Sequence, residues 1–110
     1  MTFLASASEK MFLLMQQNQK AYELNCVNLR FNSAQRNMNY IEEQYRDVED
    51  YDVAEDNDYY IYLETLSEQL EEQKEALDDE IELLKNQVSS LASIVKDGIK
   101  NSCGLTLSGS

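Results

Sequence analysis

The chain has 110 residues, with 9 Lys and Arg against 21 Asp and Glu for a formal net charge of −12, and it contains no His, Pro or Trp. Without His, triads that depend on an imidazole base and zinc sites built on imidazole are excluded. Nucleic acid is disfavoured as a partner, because phosphate contacts need clustered Lys and Arg. We therefore predict a protein that is not an enzyme, with no catalytic residues, no cofactor and no metal site.

Targeting signals are also missing from the pattern. No basic segment followed by an apolar segment and a cleavage site opens the sequence. The longest apolar run, Met11–Met15, is far shorter than the roughly 20 residues that a membrane span needs. The sequence predicts no membrane span and, by default, a cytoplasmic location, with export that needs no cleaved signal left open.

The first predicted helix covers about residues 3–48. Apolar side chains recur there with alternating spacings of 3 and 4, which is typical of a coiled-coil stripe. The stripe comprises Leu24, Val27, Phe31, Ala34, Met38, Ile41, Tyr45 and Val48. Upstream we expect it to continue through Ala7, Met11, Leu14 and Ala21, after one slip in phase near Leu24.

An acidic segment at about 49–57 is the predicted turn, because Asp and Asn favour turns and caps over helix interiors. Asp56, Asn57 or Asp58 is the expected N-cap of the second helix. The acidic residues proposed for this tip are Glu49, Asp50, Asp52, Glu55, Asp56 and Asp58. Their spacing does not match a calcium-binding helix–loop–helix motif, so no calcium site is predicted.

The second predicted helix covers about residues 58–100, and the tail at 102–110 is expected to be flexible because Gly98 is a helix-stop signal. The predicted apolar stripe of this second helix shifts phase between Gln73 and Ile81. The stripe comprises Leu63, Leu66, Leu70, Gln73, Leu77, Ile81, Leu84, Val88, Leu91, Val95 and Ile99.

Two helices of nearly equal length joined by a short turn predict an all-α fold, an antiparallel, coiled-coil-like helical hairpin that forms one domain over residues 1–101. In that register Ile41 lies near Leu63 and Leu66, and Leu14 lies near Leu91. Because two helices enclose only a thin core, we expect the hairpin to pack into a larger bundle by self-association.

The candidate interaction surface is the end of the hairpin that carries the chain termini, where apolar residues surround the helices. The candidates are Met11, Phe12, Leu13, Leu14, Met15, Leu91, Ile94, Val95 and Ile99. The alternative is that these side chains only thicken the hairpin core locally. Residues 47–82 carry sixteen acidic residues and one basic residue, either as a solvated face or as a surface that attracts a basic partner.

The predicted function is that of a non-catalytic coiled-coil structural or protein-interaction module, which self-associates as a homo-oligomer or docks on another helical protein. The alternative is an acidic helical chaperone or adaptor that holds a basic or amphipathic client. The hairpin is similar in shape to secreted hairpins of the Trp-x-Gly type, to secretion needle subunits and to secretion chaperones. The chain lacks the Trp and Pro residues that mark the first two classes, so the resemblance is one of shape and identifies no family.

Overall fold

The computed structural model describes the backbone of residues 3–108 and the side chains of residues 4–100. This part of the chain contains three helices and no strand: α1 (Phe3–Gln44), α2 (Val53–Asp56) and α3 (Asp58–Ser108). The two long helices, α1 and α3, pack against each other. The fold is therefore the predicted all-α helical hairpin.

The break between the long helices starts earlier than expected. α1 ends at Gln44 rather than at about residue 48, and turns follow directly. The Tyr45 ring stacks on the Tyr51 ring with centroids 4.4 Å apart, which requires the chain to fold back between them. Asp50 adopts a left-handed conformation with φ of 60°, which Asp tolerates better than most residues.

Side-chain caps define where the chain becomes helical again. The Asp52 carboxylate accepts a hydrogen bond from the Ala54 backbone N–H (3.0 Å) and starts the single turn of α2, a helix that was not predicted. The Asn57 side-chain oxygen accepts a hydrogen bond from the Tyr60 N–H (2.8 Å) and caps α3. The prediction of an N-cap among residues 56–58 is confirmed at Asn57.

The far end of α3 differs from the expectation. The helix continues to Ser108, past the predicted end near residue 100, so residues 102–108 are helical. Gly98 and Gly104 lie within the helix at a cost of about 1 kcal/mol each relative to Ala. No Pro follows to stop the helix. Residues 109 and 110, the last two of the predicted flexible tail, lie outside the described residues.

The chain divides into two compact units. The turn unit is Tyr22–Asp78, and the terminal unit is formed by Met1–Ala21 and Asp79–Ser110. The turn unit has a core in which Ala34, Met38 and Ile41 of α1 pack with Tyr60 and Leu63 of α3. Leu66 packs against this core, so the predicted neighbourhood of Ile41, Leu63 and Leu66 is confirmed.

The buried stripe of α1 keeps one phase, and the predicted slip near Leu24 is absent. Val27, Ala34, Met38 and Ile41 are buried as predicted. Upstream, Ala7 and Leu14 are half-buried, but Met11 and Ala21 are exposed. The inward positions are instead taken by Ser6, Lys10, Leu13, Gln17 and Lys20, which are buried or half-buried. In an uninterrupted helix the inward-facing positions keep their seven-residue repeat, whether the residues there are apolar or polar. A slip in phase would require the two-helix supercoil to overwind locally.

The buried stripe of α3 also runs without the predicted phase shift. Ser67 is buried and donates a hydrogen bond from its hydroxyl to the Met38 sulfur (3.6 Å), whereas Leu66 is only half-buried and Gln73 is exposed. Ile99, the last member of the predicted stripe, is exposed as well. The predicted stripe of α1 likewise loses Val48, which is exposed because α1 has already ended.

Candidate protein-interaction surfaces

The terminal unit has little core of its own. Ile81 is the one buried hydrophobic side chain among its described residues, and Ser6 is the one buried polar residue. The inward side of α3 carries half-buried apolar side chains at Leu84, Val88, Leu91 and Val95. The inward side of α1 supplies Leu13, with the half-buried Ala7 and Leu14 at its edge, and its other residues are polar. The apolar stripe on α3 therefore has few apolar partners on α1.

The contacts inside this unit are correspondingly open. The Lys20 Nζ pairs with the Glu80 carboxylate at 3.0 Å, with both side chains partly exposed. Leu13 and Leu91 lie along one shallow groove of about 340 Å³, together with Glu9 and Ser90. An ion pair of this kind contributes at most about 1 kcal/mol, because solvent screens it.

The nine predicted interaction residues fall into two groups. Leu13, Leu14, Leu91 and Val95 are half-buried. The other five are exposed: Met11 (62%), Phe12 (58%), Met15 (67%), Ile94 (47%) and Ile99 (48%). The first group fits the thicker-core alternative, and the second leaves apolar surface in solvent on both helices.

Two exposed apolar residues of this unit are not among the predicted interaction residues. Leu4 is 68% exposed on α1, and Leu83 is exposed on α3. Leu4 shares its helix face with Met11 and Met15, since the three positions fit the same alternating repeat when Ser8 is included. The predicted inward stripe runs through Ala7, Met11 and Leu14, and that phase places Leu4 on the inward side of α1.

All six acidic tip residues are exposed. Two of them have a structural role at α2, because the Asp56 carboxylate accepts a hydrogen bond from the Asp52 N–H (2.8 Å) while Asp52 provides the N-cap. Close by in sequence, Tyr59 and Tyr62 are exposed and stack with ring centroids 6.3 Å apart. Carboxylates and aromatic faces are the groups that bind Lys and Arg side chains.

The other tyrosine of this segment, Tyr60, is buried. Its hydroxyl donates a hydrogen bond to the Glu42 Oε1 at 2.6 Å, which joins α3 to α1. The bond to this carboxylate raises the pKa of Tyr60 to about 12, with burial of the ring and the nearby negative charges acting in the same direction. We call this hydrogen bond the Tyr60 tie, because it pairs a buried hydroxyl of α3 with a carboxylate of α1.

Sites for ions or membranes are not evident in the described part of the chain. There, no group of three or more Cys, Asp or Glu side chains is placed to hold a metal ion. No described helix combines the length and the apolar character required to cross a bilayer. Comparison of the chain with protein-family models, with curated proteins and with solved structures finds no match.

Proposed function

We propose that the chain is a non-catalytic helical interaction module that binds through the apolar surface of its terminal unit, either to itself or to another helical protein. We define that surface by its exposed members Met11, Phe12 and Met15 on α1 and Ile94 and Ile99 on α3. One observation carries the proposal: among the side chains that the structure describes, this unit exposes large apolar ones on both helices and buries a single hydrophobic one, Ile81.

The energetic argument concerns what these side chains gain from a partner. Full burial of a Met, Phe or Ile side chain contributes about 1.5–3 kcal/mol relative to leaving it exposed. Soluble monomers rarely leave large apolar patches in water, and patches that do occur are commonly interaction sites. Met side chains add flexible contact area that adapts to the shape of a partner.

The test compares the wild-type chain with a Phe12→Ser and Met15→Ser double variant by sedimentation velocity and by fluorescence of a hydrophobic dye. We expect the wild type either to form an oligomer or to remain a monomer that binds the dye. The double variant should lose that behaviour. Tyr40→Ser is the matched control, because Tyr40 is an equally exposed apolar residue of α1 in the turn unit. A wild-type monomer that binds no dye would contradict the proposal.

A second candidate, an adaptor for a basic client, is favoured by the six exposed carboxylates of the tip together with the Tyr59 and Tyr62 pair. A client that binds only the folded chain raises its unfolding temperature, and the rise increases with the logarithm of client concentration once the client is well above its dissociation constant. An amphipathic helical peptide that contains Arg is a suitable probe. We expect stabilisation that declines with added salt and is reduced in an Asp58→Asn and Tyr62→Ser variant, and an absence of stabilisation at low salt would exclude this candidate.

A further inference from the structure

The exposed face of α1 in the terminal unit carries a second regular stripe. Five exposed side chains follow alternating spacings of 4 and 3, and they are Leu4, Ser8, Met11, Met15 and Asn18. This is the spacing by which the opposite face of α1 packs against α3 within the chain. A stripe with a seven-residue repeat fits another helix better than an irregular surface, because it stays aligned with a partner helix along its length.

The positions that flank this stripe carry no charge. They are Ala5, Ala7, Phe12, Leu14, Gln19 and Ala21. The three charged residues between 3 and 21 lie elsewhere on the helix: Glu9 lines the groove beside Leu13, while Lys10 and Lys20 are on the inward face. In helix pairs, flanking charges set partner choice, and identical helices repel when like charges meet there. On this face nothing opposes the pairing of two identical copies.

Charge also distinguishes α1 from α3 as a surface for self-pairing. Within the terminal unit α1 carries one acidic and two basic residues, none of them on the stripe or its flanks, whereas α3 carries four acidic and three basic residues there. Two copies that met through the exposed Ile94 and Ile99 of α3 would bring charges together, because Asp97 and Lys96 lie one helical turn from these residues. The polar members of the α1 stripe are also self-complementary, because the Asn18 amide and the Ser8 hydroxyl each donate and accept hydrogen bonds. A two-fold interface needs this property, since the same patch is present on both sides.

We propose that the α1 stripe of one chain packs against the α1 stripe of a second copy. The inference rests on the proposed function and narrows it, since it names the partner as the same chain and limits the main contact to one face of one helix. Leu4, Met11 and Met15 are the apolar contacts, and Asn18 sets the register of the two helices at some cost in stability.

A charge-swap experiment on the full chain tests this pairing. One variant carries Met11→Glu and Met15→Glu, and another carries Met11→Lys and Met15→Lys. Each alone should sediment as a folded monomer, with a dissociation constant raised more than about a hundredfold, because like charges are forced together in the interface. An equimolar mixture should associate again, since opposite charges then face each other. Circular dichroism verifies that both variants remain helical.

The control is a Leu83→Lys variant, which places a charge on an exposed apolar residue of α3 outside the proposed surface. It should self-associate like the wild type. If an Ile94→Glu and Ile99→Glu variant becomes monomeric while the α1 variants still associate, the α1 stripe is not the interface and the inference fails, although the proposed function stands. A wild-type monomer that binds the hydrophobic dye has the same meaning. Mixed variants that stay monomeric would also overturn the inference, because the two stripes would not face each other.

Discussion

The turn unit and the terminal unit are built from the same two helices but bury their apolar residues very differently. In the turn unit, apolar residues of α1 and α3 occupy the inward positions of both helices and form a core that includes Met38, Ile41 and Leu63. In the terminal unit, α3 keeps its apolar stripe while α1 turns Lys10, Gln17 and Lys20 inward and leaves Met11 and Met15 in solvent. Apolar content alone therefore does not make a core, because the apolar residues must also lie on the side of the helix that faces the other helix.

The largest expected effect is the loss of a core side chain in the turn unit. Leu70 is 1% exposed, so Leu70→Ala should lower the free energy of unfolding by about 2–5 kcal/mol through lost burial and the cavity that remains. Leu84→Ala, at a half-buried position of the terminal unit, should cost clearly less. Urea denaturation of both variants measures the difference. Equal losses would show that the terminal unit is packed as tightly as the turn unit.

The Tyr60 tie to Glu42 makes stability depend on pH in the alkaline range. Tyr60→Phe should cost about 1.5 kcal/mol near neutral pH, as expected for a hydrogen bond to a charged acceptor. The folded-state pKa of about 12 exceeds the ordinary value of 10.0, so this contribution is fully present below pH 10 and is lost as the pH rises to 12.

We therefore expect the thermal unfolding midpoints of the wild type and Tyr60→Phe, measured between pH 9 and 12, to converge as the pH rises. Tyr59→Phe is the control, because Tyr59 is an exposed neighbour. A constant difference between wild type and Tyr60→Phe across this range would contradict the assignment.

The next prediction concerns the contribution of the Asn57 cap at the start of α3 to the stability of the chain. Asn57→Ala removes the acceptor for the Tyr60 N–H and should destabilise the chain by about 1 kcal/mol. Asn57→Asp keeps an acceptor and should stay close to the wild type. Thermal unfolding followed by circular dichroism compares the two, and equal losses would show that the side-chain oxygen does not act as the cap.

The smallest predicted effect is a gain in the terminal unit. Gln17 is half-buried on the inward face of α1, so Gln17→Leu should raise the free energy of unfolding by about 0.5–1 kcal/mol through added apolar burial. Asn18→Leu, one residue away on the exposed face, should not stabilise a monomeric variant. Urea denaturation in the Met11→Glu and Met15→Glu background separates this effect from self-association. A gain at both positions would contradict the inward phase described for α1.

Much of the fold was predictable because it depends on features that are local in sequence. The absence of Pro predicted long helices, the acidic segment predicted the break, and Asn57 was among the expected caps. The inward phase of residues 6–20 could not be predicted from the positions of apolar residues. The seven-residue repeat of the turn unit continues along α1 and places the polar residues Lys10, Gln17 and Lys20 on the inward side. For the candidate surface, Met11 and Met15 were predicted from their apolar run, whereas Leu4 and the inward Ser6 were not, because the predicted stripe ran through Ala7 and Met11.

The Tyr60 tie also bears on the order in which the hairpin assembles. Glu42 and Tyr60 are 18 residues apart in sequence, whereas Lys20 and Glu80 of the terminal unit are 60 apart. Closing the longer loop from an unfolded chain costs about 1 kcal/mol more in entropy. Contacts near the turn therefore form at lower entropic cost, and we expect them to bring α1 and α3 together before the contacts of the terminal unit form. We accordingly expect the sparsely packed terminal unit to be completed last in refolding and to open first.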